Sequence, residues 1–156
     1  MARSTGSSGL TLLGSVLLVT AACGAPVPRP LAYGTERCAH CHMTLVDPRF
    51  SAELLTRSGR VIPFDDPGCL ATFVATNGLP AAQIRSLWVS AFLPPHALLE
   101  VSGAVFLRSD SLHTPMDYGV VALAPGPRAD SLRAALGGEL LSWDSLLATL
   151  PDTSRR

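Results

Sequence analysis

Six consecutive residues, Cys38-Ala39-His40-Cys41-His42-Met43, carry two thiols, two imidazoles and a thioether. All of these are transition-metal donors, and thiolate with thioether is the soft pair that selects Cu(I). Apart from Met1, the chain has only two methionines, Met43 here and Met116 in His113-Thr114-Pro115-Met116-Asp117-Tyr118-Gly119. Methionine usually fills cores. This chain draws its apolar residues mainly from Leu, Val and Ala, and sets both methionines beside Cys or His in turn-like segments. The spacing therefore predicts a soft-metal site. Its candidate ligands are Cys41, Met116, Met43 and Cys38, with His113 and His42 as further donors. Cys69 is a possible additional thiol. It falls at the third position of an expected helix, where the helix N-terminus favours a thiolate; simple packing beneath that helix is the alternative.

Other chemistries fit parts of the pattern. Zinc asks for four Cys or His ligands, usually from two paired knuckles, and there is a single Cys-x-x-Cys. A Cys38–Cys41 disulfide would make the chain a stapled structural lipoprotein. Three thiols besides Cys23, however, cannot all be paired in an oxidising compartment. Thiol–disulfide exchange would place the motif at a helix start, whereas Cys41 leads into a β-prone run. CAHCH also matches the attachment motif of c-type haem, with His42 as proximal ligand and Met116 able to reach the other face. That reading predicts an electron-transfer haem lipoprotein, normally rich in helix, and this chain reads as rich in strand. His96 sits in a loop and reads as solvated. Asp66 is explained as a helix cap. No Ser/His/Asp order, phosphate-binding glycine loop or carboxylate pair supports hydrolysis, so the chain reads as a binding protein and not an enzyme.

The remaining composition limits partners and location. The 156 residues allow one ordinary domain; hydrophobic residues are 47% and charged residues 15%, which excludes general disorder. Twelve basic residues, all Arg, balance twelve acidic ones, leaving no basic excess for nucleic acid. Residues 10–22 form a 13-residue apolar run behind Arg3. That run is too short to cross a hydrocarbon core of roughly 30 Å, but it suits a secretory leader. It ends in Thr20-Ala21-Ala22-Cys23, which resembles a bacterial lipobox. The expectation is a lipoprotein signal peptide over 1–22, lipidation at Cys23, and a flexible tether over 23–36. The protein would then be exported and held by its lipid at a membrane, facing the periplasm. Gly24 after the lipidated residue favours the outer membrane of a Gram-negative cell. Loss of Arg3 with the leader leaves the rest one charge negative, so lipid and not basic charge would hold it there.

The domain expected over 37–156 shows a weak internal echo. Strands are predicted over 50–56 and 60–64, joined by a turn at Ser58-Gly59. Asp66-Pro67 then opens a helix over 67–76 that exits at Asn77-Gly78, and a strand follows over 87–92. The second half repeats the order: strands over 104–108 and 119–123, a helix over 129–136 stopped by Gly137-Gly138, and a strand over 139–143. Asp144 caps a last helix over 145–150. The fold class is α+β, two β-β-α-β modules over roughly 44–93 and 97–150 that share a core.

Three segments of this chain resemble the NosL family, copper-binding lipoproteins accessory to nitrous oxide reductase. Cys38 to Met43 resembles the family's Cys-x-x-Cys-x-Met. Phe64-Asp65-Asp66-Pro67-Gly68-Cys69-Leu70 is similar to its Phe-Asp-Asp helix opening. Thr114-Pro115-Met116 before Gly119-Val120-Val121-Ala122 resembles its Pro-Met-Gly segment. The resemblance spans residues 38–150. Two departures are His42 where the family usually has Gly, and Asp117-Tyr118 in place of the Gly after Met116. The resemblance implies a paired β-β-α-β fold similar to part of organomercurial lyase. It also implies Cu(I) binding through Cys41, Met116 and Met43, more weakly Cys38, with delivery to a copper-acceptor protein. For the family that acceptor is nitrous oxide reductase, served through an ABC-type assembly complex.

Overall fold

A computed structural model describes residue 1, residues 27–76 and residues 78–150. The expected leader, the lipidation site Cys23 and the helix exit at Asn77 lie outside the described residues. β1 (Ala52–Thr56) pairs antiparallel with β2 (Val61–Phe64) on one side and with β3 (Ile84–Ser90) on the other. Helix α1 (Pro67–Ala75) connects β2 to β3. The second half repeats this wiring. β5 (Val105–Arg108) lies between β6 (Val120–Leu123) and β7 (Glu139–Leu141), with α2 (Pro127–Leu136) before β7 and α3 (Trp143–Thr149) after it. In both sheets the opening strand is central and the strand after the helix takes its free edge. The α+β architecture of two β-β-α-β modules is therefore the observed one.

β4 (Leu98–Glu100), which local pattern does not reveal, extends the first sheet by pairing with β3. Three residues with one partly buried carry too little alternation to be read as a strand. Other boundaries shift for local reasons. α2 starts at Pro127, two residues earlier than expected, because proline suits the first helical position. The last helix is capped by Ser142, whose hydroxyl accepts from Ser145 N, and not by Asp144. Its start at Trp143 also shortens β7.

Period-two alternation divides the second sheet between two cores. Phe106, Val120 and Ala122 face the main core with Leu54, Phe64, Leu70 and Val89 of the first module. Leu107, Val121 and Leu123 face a smaller cluster beneath α2 with Phe50 and Ala129. The modules thus share one core, as two units of this size would need to. Helix α1 touches β1 and β2 of the first sheet, β6 of the second, and α3. Its residues 67–72 are all buried, as expected of a helix that is apolar all round. A parallel bridge between Ala91 and Ala122, with Phe92 N–H donating to Ala122 O at 2.8 Å, stitches the modules together.

Part of the stretch read as a tether is packed. Leu31 joins the main core, Arg29 pairs with Glu36, and the Tyr33 hydroxyl bonds Ser51 Oγ at 2.8 Å. Among the described residues no helix is long and apolar enough to cross a membrane.

Glu53, on central strand β1, is only 4% exposed, and its Oε2 has no hydrogen-bond partner. Burial raises its carboxyl to about 7, against the opposing pull of Arg29. A carboxyl raised in the folded state keeps its full contribution below the unfolded value near 4.5 and loses it as pH climbs to about 7. Glu53→Gln is therefore expected to stabilise the protein at pH 8 by on the order of 2 kcal/mol, and to leave it little changed at pH 4. Urea unfolding of both proteins at the two pH values measures this.

Candidate metal centre

Residues 36–45 fold back on themselves as a short hairpin. Leu45 N–H donates to Glu36 O, Cys38 N–H to Met43 O, and His42 N–H to Cys38 O. Ala39 N–H donates to Pro63 O at 2.9 Å, which hooks the tip of this hairpin onto edge strand β2. β2 runs directly into Asp65, Asp66 and the first turn of α1. Asp66 is the N-cap of α1, its Oδ1 accepting from Gly68 N at 2.6 Å. The cap fixes where Cys69, one residue further on, enters the core.

Three sulfurs and a carboxylate meet as a result. The Sγ atoms of Cys38, Cys41 and Cys69 and a carboxylate oxygen of Asp65 all lie within 4.8 Å of one another. Cys38, Cys69 and Asp65 are buried, Cys41 is half-buried, and all three cysteines are free thiols. The Cys41 thiol donates to both oxygens of Asp65, at 3.3 and 3.4 Å. The cluster's protons are unevenly held. The Cys69 thiol donates to Cys38 and brings its thiol down to about 7. Burial, with Cys38 and Asp65 adding to it, pushes Cys41 up to about 12. Cys69 lies far above an ordinary thiol, because it is held protonated by Cys38 and buried. The expectation that the helix N-terminus would favour a Cys69 thiolate runs against these shifts, which raise Cys69 and lower Cys38. Helix partial charges of about half a unit are outweighed by a neighbouring thiolate and by burial.

Cys41 also faces outward. It lines a cleft of about 1010 Å³ together with His40, Met116, Asp117 and Tyr118. Met116 is brought there by the tight turn in which Asp117 N–H donates to Thr114 O. The Thr114 hydroxyl and the Met116 N–H both favour the charged form of Asp66, opposing the burial that raises its carboxyl to about 6. The ring of Tyr118 lies across Gly68, where a Cβ would come within 2.3 Å of it, and its hydroxyl accepts from Thr72 at 3.3 Å. The loop of the second module is thereby clamped to the first turn of α1.

Of the residues expected to bind metal, the structure joins Cys38 and Cys41 with Cys69 in the cluster and places Cys41 and Met116 on one cleft. Met43 is 50% exposed, although its N–H favours the Cys41 thiolate. His42 and His113 are exposed and belong neither to the cluster nor to the cleft lining. Asp65 and His40 were not among the expected site residues. His40 lies inside the motif and was legible there, but nothing local distinguishes Asp65 from its capping neighbour. His96, expected to be merely solvated, is half-buried, with its Nδ1 3.0 Å from Ala91 O. The haem reading fits poorly, because Cys38 is 1% exposed and its sulfur faces other thiols instead of an open surface.

The chain's fold is similar to that in the crystal structure of the copper chaperone NosL from Shewanella denitrificans. The two share a TM-score of 0.64 and 21% identity, over 76% of this chain and 96% of that one. No family model matches the sequence, and no curated protein matches it.

The two departures from the NosL pattern share a physical feature. His42 has φ +64° and Asp117 φ +57°, both in the left-handed region that glycine occupies without cost. Side chains there cost about 1 kcal/mol or more. His42→Gly is expected to stabilise the protein by about 0.5–1 kcal/mol and to leave metal affinity within about twofold. Thermal unfolding and metal titration of this variant check both parts; a large loss of affinity would make His42 a ligand.

Proposed function

We propose that this protein is a Cu(I) carrier of the NosL type, anchored by lipid at Cys23 and facing the periplasm. The observation that carries this reading is the convergence of three free thiols within 4.8 Å, one of them opening onto a cleft that also holds Met116. Cu(I) is satisfied by two or three soft donors, and such a site keeps the ion reduced while leaving room for an incoming ligand. Similarity of fold to a copper chaperone supports the same assignment. The protein would turn over no substrate. It would hand its cargo by ligand exchange to an exported copper protein, nitrous oxide reductase being the acceptor that the family resemblance implies, through an ABC-type assembly complex.

Asp65 favours a second reading. With three cysteines it completes a four-donor set suited to tetrahedral Zn(II), which a lone Cys-x-x-Cys did not suggest. Carboxylate matters to Zn(II) and little to Cu(I), so the two readings separate on one variant. Anaerobic titration against competing chelators is expected to show tight Cu(I) binding by the wild type. The double variant Cys41→Ser, Met116→Leu should lose it by about a hundredfold or more. Asp65→Asn should leave Cu(I) affinity within about threefold while weakening Zn(II) at least tenfold. The carrier assignment fails if the double variant binds Cu(I) as tightly as the wild type. It passes to zinc if Zn(II) displaces Cu(I) at comparable concentrations.

A further inference from the structure

The candidate donors that the structure brings together fall into two groups that share one residue, Cys41. The first is sealed: Cys38 is 1% exposed and Cys69 is fully buried, and both pack into the main core. The second is open, with Met116 and His40 on the walls of the cleft. Cys41 belongs to both, since its sulfur is within 4.8 Å of the buried thiols while the residue, half-buried, also lines the cleft. The residue after Cys41 is the left-handed His42, so the backbone turns sharply at this point.

We propose that these groups are two stations for one ion: a buried holding site made by Cys38, Cys41 and Cys69, and a transfer site in the cleft where Cys41 meets Met116. This rests on the soft-metal reading above and adds to it the role of Cys69 and the order of events. At the holding site a trigonal ion about 2.3 Å from each sulfur needs the sulfurs about 4 Å apart. The sulfurs already lie within 4.8 Å of one another, so loading needs only a small adjustment of their spacing. Asp65 stands at the edge of this triangle, accepting from Cys41 in the metal-free protein, and takes up no coordination position when Cu(I) is bound. In release the Cu–S bonds to Cys38 and Cys69 break, the bond to Cys41 persists, and a bond to the Met116 thioether forms. No electron is transferred; Cys69 takes one proton from water as it leaves the ion and donates that hydrogen to the freed Cys38 sulfur. Because neither buried thiol reaches the surface, an acceptor protein meets the ion only after this exchange. Cys69 therefore acts to retain the cargo and Met116 to present it.

X-ray absorption at the copper edge of the Cu(I)-loaded full chain tests the holding site without any substitution. Three sulfur neighbours are expected, and two would overturn the proposal. Stopped-flow transfer from the loaded protein to a Cu(I) chelator tests the order. Cys69→Ala is expected to weaken Cu(I) binding about tenfold and to speed its surrender, whereas Met116→Leu should slow surrender about fivefold or more. Unchanged affinity and rate in Cys69→Ala, with wild-type binding intact, would sink the two-station scheme and leave the carrier assignment standing. Failure of the wild type to bind Cu(I) at all would sink the assignment itself. If Cys69→Ala does not fold, the absorption result and Met116→Leu decide.

Discussion

Much of this structure hangs on one buried carboxylate. Asp66 caps α1 through Gly68 N, the one hydrogen bond its side chain makes among the described residues, and the Thr114 hydroxyl near it is likewise buried without a hydrogen-bond partner. Burial raises the Asp66 carboxyl to about 6, and its Oδ2 is left without a hydrogen-bond partner. A capping residue stabilises a helix by about 1 kcal/mol; here it also fixes how α1 leaves the end of β2. The first turn of α1 follows directly on β2, and Gly68 leaves room there for Tyr118, whose hydroxyl accepts from Thr72 and brings the second module's loop against the helix. Cys69 is placed by this junction, while Cys38 and Cys41 are placed by the hairpin that Ala39 hooks onto Pro63 of β2.

The junction is deep in apolar surroundings, which decides the chemistry of the thiols. In water three cysteines would titrate independently near their ordinary values. Sharing a buried pocket with Asp65, they instead shift apart: the Cys69 thiol donates to Cys38 and lowers it, while burial and the neighbouring Cys38 push Cys41 and Cys69 up. A bound soft cation would remove the repulsion among several thiolates and take their protons' place. Such a cluster of ionisable groups is costly to bury as it stands, which is consistent with a site arranged around a metal ion. The orientation of Cys41 toward both the pocket and the cleft adds access without exposing the rest.

Legibility of the fold in the sequence followed the strength of local patterns. The strands over 105–108 and 120–123 alternate between two apolar cores, and the Asp66-Pro67 pair marks a helix start by cap and fixed φ together, so these elements were readable. β4 was not, since three residues hydrogen-bonded to an edge leave no period to detect. Neither was the choice of Ser142 over Asp144 as a cap, because both are good capping residues and only the observed exit of β7 separates them. Part of the presumed tether turned out to be packed because Leu31, a single apolar residue among prolines, finds the main core.

The candidate site divides in the same way. Composition and spacing alone made Cys38, Cys41, Met43 and Met116 candidate donors of a soft-metal kind, since these side chains are scarce in the chain and sit outside any apolar period. Which of them lie together, with Cys69 and Asp65 beside Cys38 and Cys41 and with Met43, His42 and His113 exposed apart from that cluster, was decided only by tertiary structure. Cys41 and Asp65 are 24 positions apart, and nothing local in a sequence reports a distance closed by an Ala39-to-Pro63 hydrogen bond. The protonation of the cluster was settled at the same level, because it depends on burial and on which thiol neighbours which. Residue type sets what a side chain can bind; the three-dimensional packing sets which of them can bind together.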